Sequence, residues 1–369
     1  MITPPFSIFA VSTPGLELPL AEEIRAAGFA DAQLVDGGVE FAGNWNEVWR
    51  ANLVLRGATR ILVRVASFRA MHLAQLDKRA SKLEWEKILR RDIALHVEAS
   101  CRRSRIYHAG AAAQRVANAI RDGLGTEISE TAQLRIMVRI EDDLVTISID
   151  TTGESLHKRG FKEGVAKAPM RETMAAMFLR QCGFTGTEPI LDPMCGSGTF
   201  PIEAAEIAAG LLPGRQRAFA FEHLPGFDPA AWNRMRETAP PRLPAIQFYG
   251  SDRDAGAIRM ATENAGRAGV STLTRFTQAS IETLEPPQGE PGLVIVNPPY
   301  GTRVGSKGPL IGVHRTLGQV LRTRFSGWRV GVVTADRQLA EATGLAFEPM
   351  LPPVLHGGIR VALYRTAPL

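Results

Sequence analysis

The stretch Ile190-Leu-Asp-Pro-Met-Cys-Gly-Ser-Gly-Thr199 decides how this chain is read. A short apolar run ends in an acid. Two glycines follow within a tight turn, and the apolar segment Phe200–Ala209 has helical spacing. Strand, glycine-rich turn and helix in that order place backbone N–H groups at the switch point of a doubly wound parallel sheet. Gly196 and Gly198 let a ligand come close to the main chain.

Three ligand classes compete for such a turn. A phosphate-binding Walker loop needs a terminal Gly-Lys-Ser/Thr, and no lysine is present. A dinucleotide fingerprint needs a third glycine after two intervening residues beyond Gly198, and Pro201 stands there instead. The third is a nucleoside without phosphates. Asp192 at the strand end repels a pyrophosphate but suits the ammonium of an amino-acid cofactor. A purely structural turn stays open beside these.

Ile246-Gln-Phe-Tyr-Gly-Ser-Asp252 supports the third class. It reads as the next strand, and a helix is expected from Ala255. An acid at the end of that second strand is placed to accept from ribose hydroxyls, with Arg253 beside it. The alternative for Asp252 is a helix N-cap. Further on, Gly292-Leu-Val-Ile-Val-Asn-Pro-Pro-Tyr-Gly301 reads as a buried strand stopped by a double proline. Pro298 and Pro299 fix φ and remove two donors, so their carbonyls point in set directions. Asn297 adds a side-chain acceptor and Tyr300 a flat face.

Such a corner suits a planar group bearing an NH2. The lone pair of an exocyclic amine is delocalised into its ring, so the amine is a poor nucleophile. Acceptors from Asn297 and the Pro298 carbonyl bind its two protons and turn the lone pair toward an electrophile, here the sulfonium methyl of S-adenosyl-L-methionine. Positioning and electrostatics then supply the rate, with no strong general base. The alternative is a plain turn.

Around these loops the chain is ordinary for a globular protein. It has 369 residues, of which 45% are hydrophobic and 22% charged, with a net charge of +5. Three cysteines without a Cys-x-x-Cys pair give neither a disulfide framework nor a structural zinc site. Seven histidines show no metal spacing, so no metal is expected. The uncharged run Met1–Leu16 lacks a basic start and is broken by Pro4, Pro5 and Pro14, so neither a signal peptide nor a membrane span is expected, and a cytoplasmic location is.

Charge is uneven along the chain. Between Arg50 and Arg121 stand 16 Lys and Arg against 5 Asp and Glu, which leaves the remainder net acidic. A basic block inside a folded, aliphatic segment reads as a surface facing a polyanion, with a solvated face as the alternative. The first sixty residues show β-α-β-α-β order: Ser7–Val11, a helix over Gly15–Gly28, Val39–Phe41, a helix over Trp45–Leu55, and Ile61–Val65. That order predicts a small ferredoxin-like unit. Strands are expected at Ile93–Ala99, Leu134–Ile140 and Leu144–Asp150, with a helix over Ala111–Leu124. In the insert 211–245, Arg215, Arg217, Arg234 and Arg236 alternate with Phe219, Phe221, Phe227 and Trp232. Such a mixture grips an unstacked strand or forms a small local core.

Asp192–Thr199 together with Asn297–Tyr300 resembles the class I methyltransferases that modify exocyclic amines. The wider chain resembles the bacterial RNA methyltransferases with a THUMP domain, the family of the 23S rRNA guanine-N2 methyltransferases. The resemblance is carried further by Ser148–Phe161, by Ala168-Pro-Met-Arg-Glu-Thr173 and by the extension to Arg303. It implies a ferredoxin-like domain over 1–60, a THUMP RNA-binding domain over 61–163 and a class I methyltransferase domain, Rossmann-like and α/β, over 164–369. It further implies that S-adenosyl-L-methionine contacts Lys167, Thr173, Asp192, Pro193, Met194, Cys195, Gly196, Ser197, Gly198, Thr199, Asp252, Arg253 and Ser280. Asn297, Pro298, Pro299 and Tyr300 would hold the target base. The implied partner is structured RNA, rRNA first and tRNA second. Adenine-N6 methylation of DNA and a non-enzymatic assembly factor are the alternatives.

Overall fold

A computed structural model describes residues 5–163, 170–237, 242–300 and 307–369. In chain order its elements begin with β1 (Phe6–Val11), α1 (Glu17–Ala26), β2 (Gln33–Val35), β3 (Gly38–Gly43), α2 (Trp45–Val54) and β4 (Arg60–Arg69). These are followed by α3 (Leu73–Ala80), β5 (Leu95–Arg102), α4 (Ala109–Leu124), β6 (Leu134–Glu141) and β7 (Leu144–Asp150). The second half holds α5 (Glu172–Gln181), β8 (Ile190–Asp192), α6 (Thr199–Ala209), α7 (Pro229–Arg236), β9 (Phe248–Asp252), α8 (Ala255–Ala268) and β10 (Thr274–Gln278). It ends with β11 (Leu293–Val296), α9 (Lys307–Arg324), β12 (Arg329–Thr334), α10 (Arg337–Ala342), β13 (Val354–His356) and β14 (Ile359–Arg365).

Two units result. The first comprises Met1–Ser12, Ala21–Leu156 and Arg217–Glu237; the second comprises Thr13–Leu20, His157–Gln216 and Thr238–Leu369. The first unit is built on one seven-stranded sheet in the order β2-β3-β1-β4-β7-β6-β5. β6 alternates buried and half-buried side chains along its whole length, as a strand with one covered face should. β4 pairs antiparallel with β1 on one side and β7 on the other, with a bulge between Arg64 and Ala66. At its start Arg60 pairs with Asp150, whose carboxylate is fully buried. Asn52 donates to Thr151 Oγ1 at 2.9 Å, so α2 is pinned where β7 ends.

The aromatics of the insert form a local core within this unit. Phe219, Phe221 and Trp232 are at most 3% exposed. Phe219 stacks on Phe221 at 5.2 Å, Trp232 meets Phe221 edge-on at 5.0 Å, and Trp49 of α2 lies 5.9 Å from Phe221. The reading of these rings as a grip for an unstacked strand is therefore corrected: their faces are already covered. Arg217 donates to the Ser155 carbonyl at 3.0 Å, and Arg236 lies over the Trp232 ring.

The second unit carries the seven-stranded sheet β10-β9-β8-β11-β12-β14-β13. Its first five strands run parallel, and β14 and β13 turn back antiparallel. All four residues of β11 are buried, as expected for a strand covered on both faces. Val294, Val296, Leu317, Leu321, Phe325 and Trp328 belong to one apolar cluster. From β8 the chain winds out through β9 to β10, then returns through β11 to β12. The crevice at the carboxyl ends of β8 and β11 is thus the topological switch point. Among the described residues no helix is long and apolar enough to cross a membrane, and no cluster of metal-binding side chains occurs.

Candidate active site at the sheet switch point

β8 and β11 are hydrogen-bonded neighbours, with Ile190 opposite Leu293 and Leu191 opposite Val294. Neighbouring strands lie about 4.8 Å apart. The turn after Asp192 and the corner after Val296 therefore leave adjacent strands on the same edge of the sheet. Two loops separated by about a hundred residues in sequence share one crevice.

Asp192 itself shapes the first turn. Its Oδ1 accepts from the Met194 N–H at 3.1 Å, while the Cys195 N–H donates to the Ser251 carbonyl at 2.9 Å. Asp252, ending β9, accepts from the Gly196 N–H at 3.1 Å and from the Asp254 N–H at 3.0 Å. Asp254, and not Asp252, caps α8. Gly198 sits at φ +84°, and a Cβ there would lie 3.0 Å from that of Ala261 and 3.1 Å from the Phe276 ring. Only glycine fits this combination of dihedral and packing. Pro193 and Ser197 are buried, and the Ser197 carbonyl accepts from Asn264 at 3.1 Å.

Electrostatics in this turn are unusual. Asp192 is 3% exposed, and burial, reinforced by the neighbouring Asp252, pushes its carboxyl up to about 8. Among the described residues no cationic side chain offsets it. A ligand cation would relieve this cost. Burial also pushes the Cys195 thiol well above its usual range, so it is no thiolate nucleophile.

Around the turn, Thr173 lies in the first turn of α5 with 1% exposure, and its Oγ1 is buried with no hydrogen-bond partner among the described residues. Lys167 lies outside the described residues. Ser280 stands two residues past β10, whose last residue Gln278 is opposite Asp252, and the Ala279 N–H donates to the Asp252 carbonyl at 3.0 Å. Arg253 is exposed and turns its carbonyl to Gln278. One residue that sequence reasoning overlooked is Lys162. Its Nζ donates to Thr199 Oγ1 at 2.9 Å and to the Met170 carbonyl at 3.1 Å, and pairs with Glu172 at 3.0 Å. It ties the incoming linker, the start of α5 and the start of α6 into one knot. A lone lysine after Gly160-Phe161 carries no local signal for that role.

In the second loop Pro298 is buried, and Asn297, Pro299 and Tyr300 are half-buried. Asn297 Oδ1 is buried without a hydrogen-bond partner among the described residues. An unpaired buried acceptor costs on the order of 1–3 kcal/mol, which an incoming N–H donor would recover. The Tyr300 hydroxyl lies 3.2 Å from His356 Nδ1, and burial pushes its pKa up to about 12, so it stays a neutral phenol. Thr302 and Arg303 lie outside the described residues.

In the first unit the basic block spreads over α3, the segment from α3 to β5, the β5–α4 loop and α4. Lys78, Arg79, Lys82, Arg91, Arg105 and Arg115 are exposed. Arg103 is partly neutralised by Glu141 and Asp142 at about 3 Å. Tyr107 stands 83% exposed beside Arg105.

A parallel doubly wound sheet with an acid-glycine turn and an Asn-Pro-Pro-Tyr corner at its switch point defines a class I methyltransferase. The model for RMKL-like methyltransferase domains matches residues 159–350, so the chain belongs to that family, whose methyl donor is S-adenosyl-L-methionine. The RlmL ferredoxin-like domain matches residues 7–62 and the THUMP domain residues 70–150. The chain is 36% identical over 361 residues to the ribosomal RNA large subunit methyltransferase K/L of Syntrophotalea carbinolica, a match that covers 92% of this chain and 51% of that protein. It spans about half the length of the curated relatives it matches. Among solved structures, a possible methylase from Clostridium difficile 630 superposes with a TM-score of 0.90 at 28% identity, over 99% of this chain and 98% of the other. SMU.472, a putative methyltransferase complexed with SAH, gives 0.89 at 27% identity, over 100% and 99%.

Proposed function

We propose that this protein transfers a methyl group from S-adenosyl-L-methionine to the exocyclic N2 amine of a guanine in large-subunit ribosomal RNA. The observation that carries the reading is the pairing of β8 with β11, which sets the Asp192–Thr199 turn and the Asn-Pro-Pro-Tyr corner side by side. The names of the relatives support the RNA substrate. We further propose three modules: a ferredoxin-like domain over 1–60, a THUMP domain over 61–163 that docks RNA, and the methyltransferase domain over 164–369.

The residues present fit the cofactor. Asp192, buried and short of a cation among the described residues, would receive its ammonium; Pro193 to Thr199 would line its amino-acid part; and Thr173 Oγ1, unpartnered among the described residues, offers a further polar atom. Asp252 would take the ribose hydroxyls, with Arg253 and Ser280 flanking the nucleoside and Lys167 on the entering segment. When bound, the cofactor supplies an electrophilic sulfonium methyl group. Asn297 Oδ1 and the Pro298 carbonyl would accept hydrogen bonds from the two amine N–H groups and free its lone pair from the ring, and the methylated nitrogen would then lose one proton to water. Pro299 keeps the corner stiff, and the Tyr300 ring lies on the base, which must first leave its stack.

The test is Asn297→Ala in the full chain. It removes the acceptor without touching the glycine turn. Methyl transfer to rRNA from cells lacking the protein should fall at least a hundredfold, while S-adenosylhomocysteine binding by calorimetry stays within about twofold. Full turnover by this variant would overturn the reading.

A further inference from the structure

The hairpin formed by β13 and β14 has a place in the site that its sequence does not announce. Ala362 of β14 is opposite Thr334, the last residue of β12. The hairpin continues past that point, pairing Val354 with Val361, Leu355 with Arg360 and His356 with Ile359. Three residues at about 3.3 Å each carry its tip roughly 10 Å beyond the end of β12. Gly357 and Gly358, both at positive φ, close it as a two-residue turn. Since Val296 is opposite Val332, the Asn-Pro-Pro-Tyr corner lies at the same edge. Where β12 stops, the overhanging tip and the corner meet, and the meeting point is the 3.2 Å contact between the Tyr300 hydroxyl and His356 Nδ1.

The corner needs such support. Its prolines remove main-chain donors, so Tyr300 depends on side-chain contacts to hold its hydroxyl end in place. The hairpin is itself anchored: Leu355 N–H donates to the Pro14 carbonyl at 3.4 Å, and Val354 is 1% exposed. With its ring proton on Nε2, His356 accepts the Tyr300 hydroxyl proton at Nδ1. The phenol, held neutral, is a donor suited to that acceptor.

Resting on the reading of Tyr300 as the face that receives the target base, we infer that His356 is a positioning residue: it holds the hydroxyl end of Tyr300 from the overhanging β13–β14 hairpin and so sets where the ring meets the base and how the base presents its amine. A Tyr300 side chain free to swing about χ1 would still admit a base but hold its amine in line for less of the time.

The test uses the full chain with His356→Phe, which keeps a ring and removes the acceptor, and His356→Asn, whose Oδ1 replaces Nδ1. The first readout needs no cofactor. In protein labelled with 3-fluorotyrosine, the Tyr300 resonance (identified by its absence in Tyr300→Phe) should be shifted and broadened in His356→Phe and restored in His356→Asn. The second readout is steady-state methylation of rRNA from cells lacking the protein. In His356→Phe, kcat should fall about 5–10-fold with little change in KM, and His356→Asn should recover most of it. Tyr300→Phe should match His356→Phe, and the double variant should be no worse than either. An unmoved Tyr300 signal in His356→Phe, a loss confined to KM, or multiplying losses in the double variant would overturn the inference. If Asn297→Ala retains full turnover, the base-clamp reading fails and this role falls with it, whatever the fluorine signal shows.

Discussion

Asp192 is the residue at which folding and ligand binding oppose each other most directly. Its folded-state carboxyl is pushed up to about 8 from an ordinary 3.8. The folded protein therefore keeps a proton that the unfolded chain releases, and stability falls as pH rises from about 4 to about 8. In thermal scans of the ligand-free protein, Asp192→Asn should flatten that decline and raise the melting temperature near pH 8, while cofactor binding is lost. An unchanged slope would show that Asp192 is not the titrating group. Gly198 makes the complementary prediction. At φ +84°, with Ala261 and Phe276 closing over it, Gly198→Ala should destabilise by about 1–2 kcal/mol in chemical denaturation, and a neutral effect would contradict the packing. Both residues could be read in advance because the signal is contiguous: acid, glycines and helix fall within ten positions. Lys162 and His356 could not, because each acts on a partner 37 or 56 positions away with no pattern around it.

At the level of elements, alternation and helical spacing located the strands and helices that carry a clear apolar pattern, and β7 occupies the expected Leu144–Asp150, while α5, α7, α9, α10 and β12 to β14 had no reading. The strand β2 and the helix α3 had no such pattern. β2 is three residues long, with two of them exposed, and α3 buries only Leu76 and Ala80, so neither has a full apolar face to read. Basic and aromatic residues alternate in the insert, a composition that fits an RNA grip and a small core equally; burial decides for the core. Trp232→Ala should then cost about 3–5 kcal/mol of stability, whereas the exposed Arg234→Ala should cost almost none. A Trp232→Ala protein of undiminished stability that had lost RNA affinity would restore the grip.

For the molecule as a whole, charge and chemistry reside in different parts of the sequence. The basic block belongs to the first unit, and the switch-point crevice belongs to the second. Replacing Lys78, Arg79 and Lys82 together with alanine should weaken RNA binding broadly across sequences. It should also reduce the slope of log affinity against log salt by about 2–3, with S-adenosylhomocysteine affinity unchanged. An unaltered salt slope would move the RNA surface elsewhere. The reaction itself is tested most directly by its product. Purified protein, labelled S-adenosyl-L-methionine and rRNA from cells lacking the protein are incubated, and the RNA is digested to nucleosides for mass analysis. The label should appear in N2-methylguanosine alone and vanish with Asn297→Ala. Label in N6-methyladenosine, or none with any rRNA, would contradict guanine-N2 transfer at the corner beside β8.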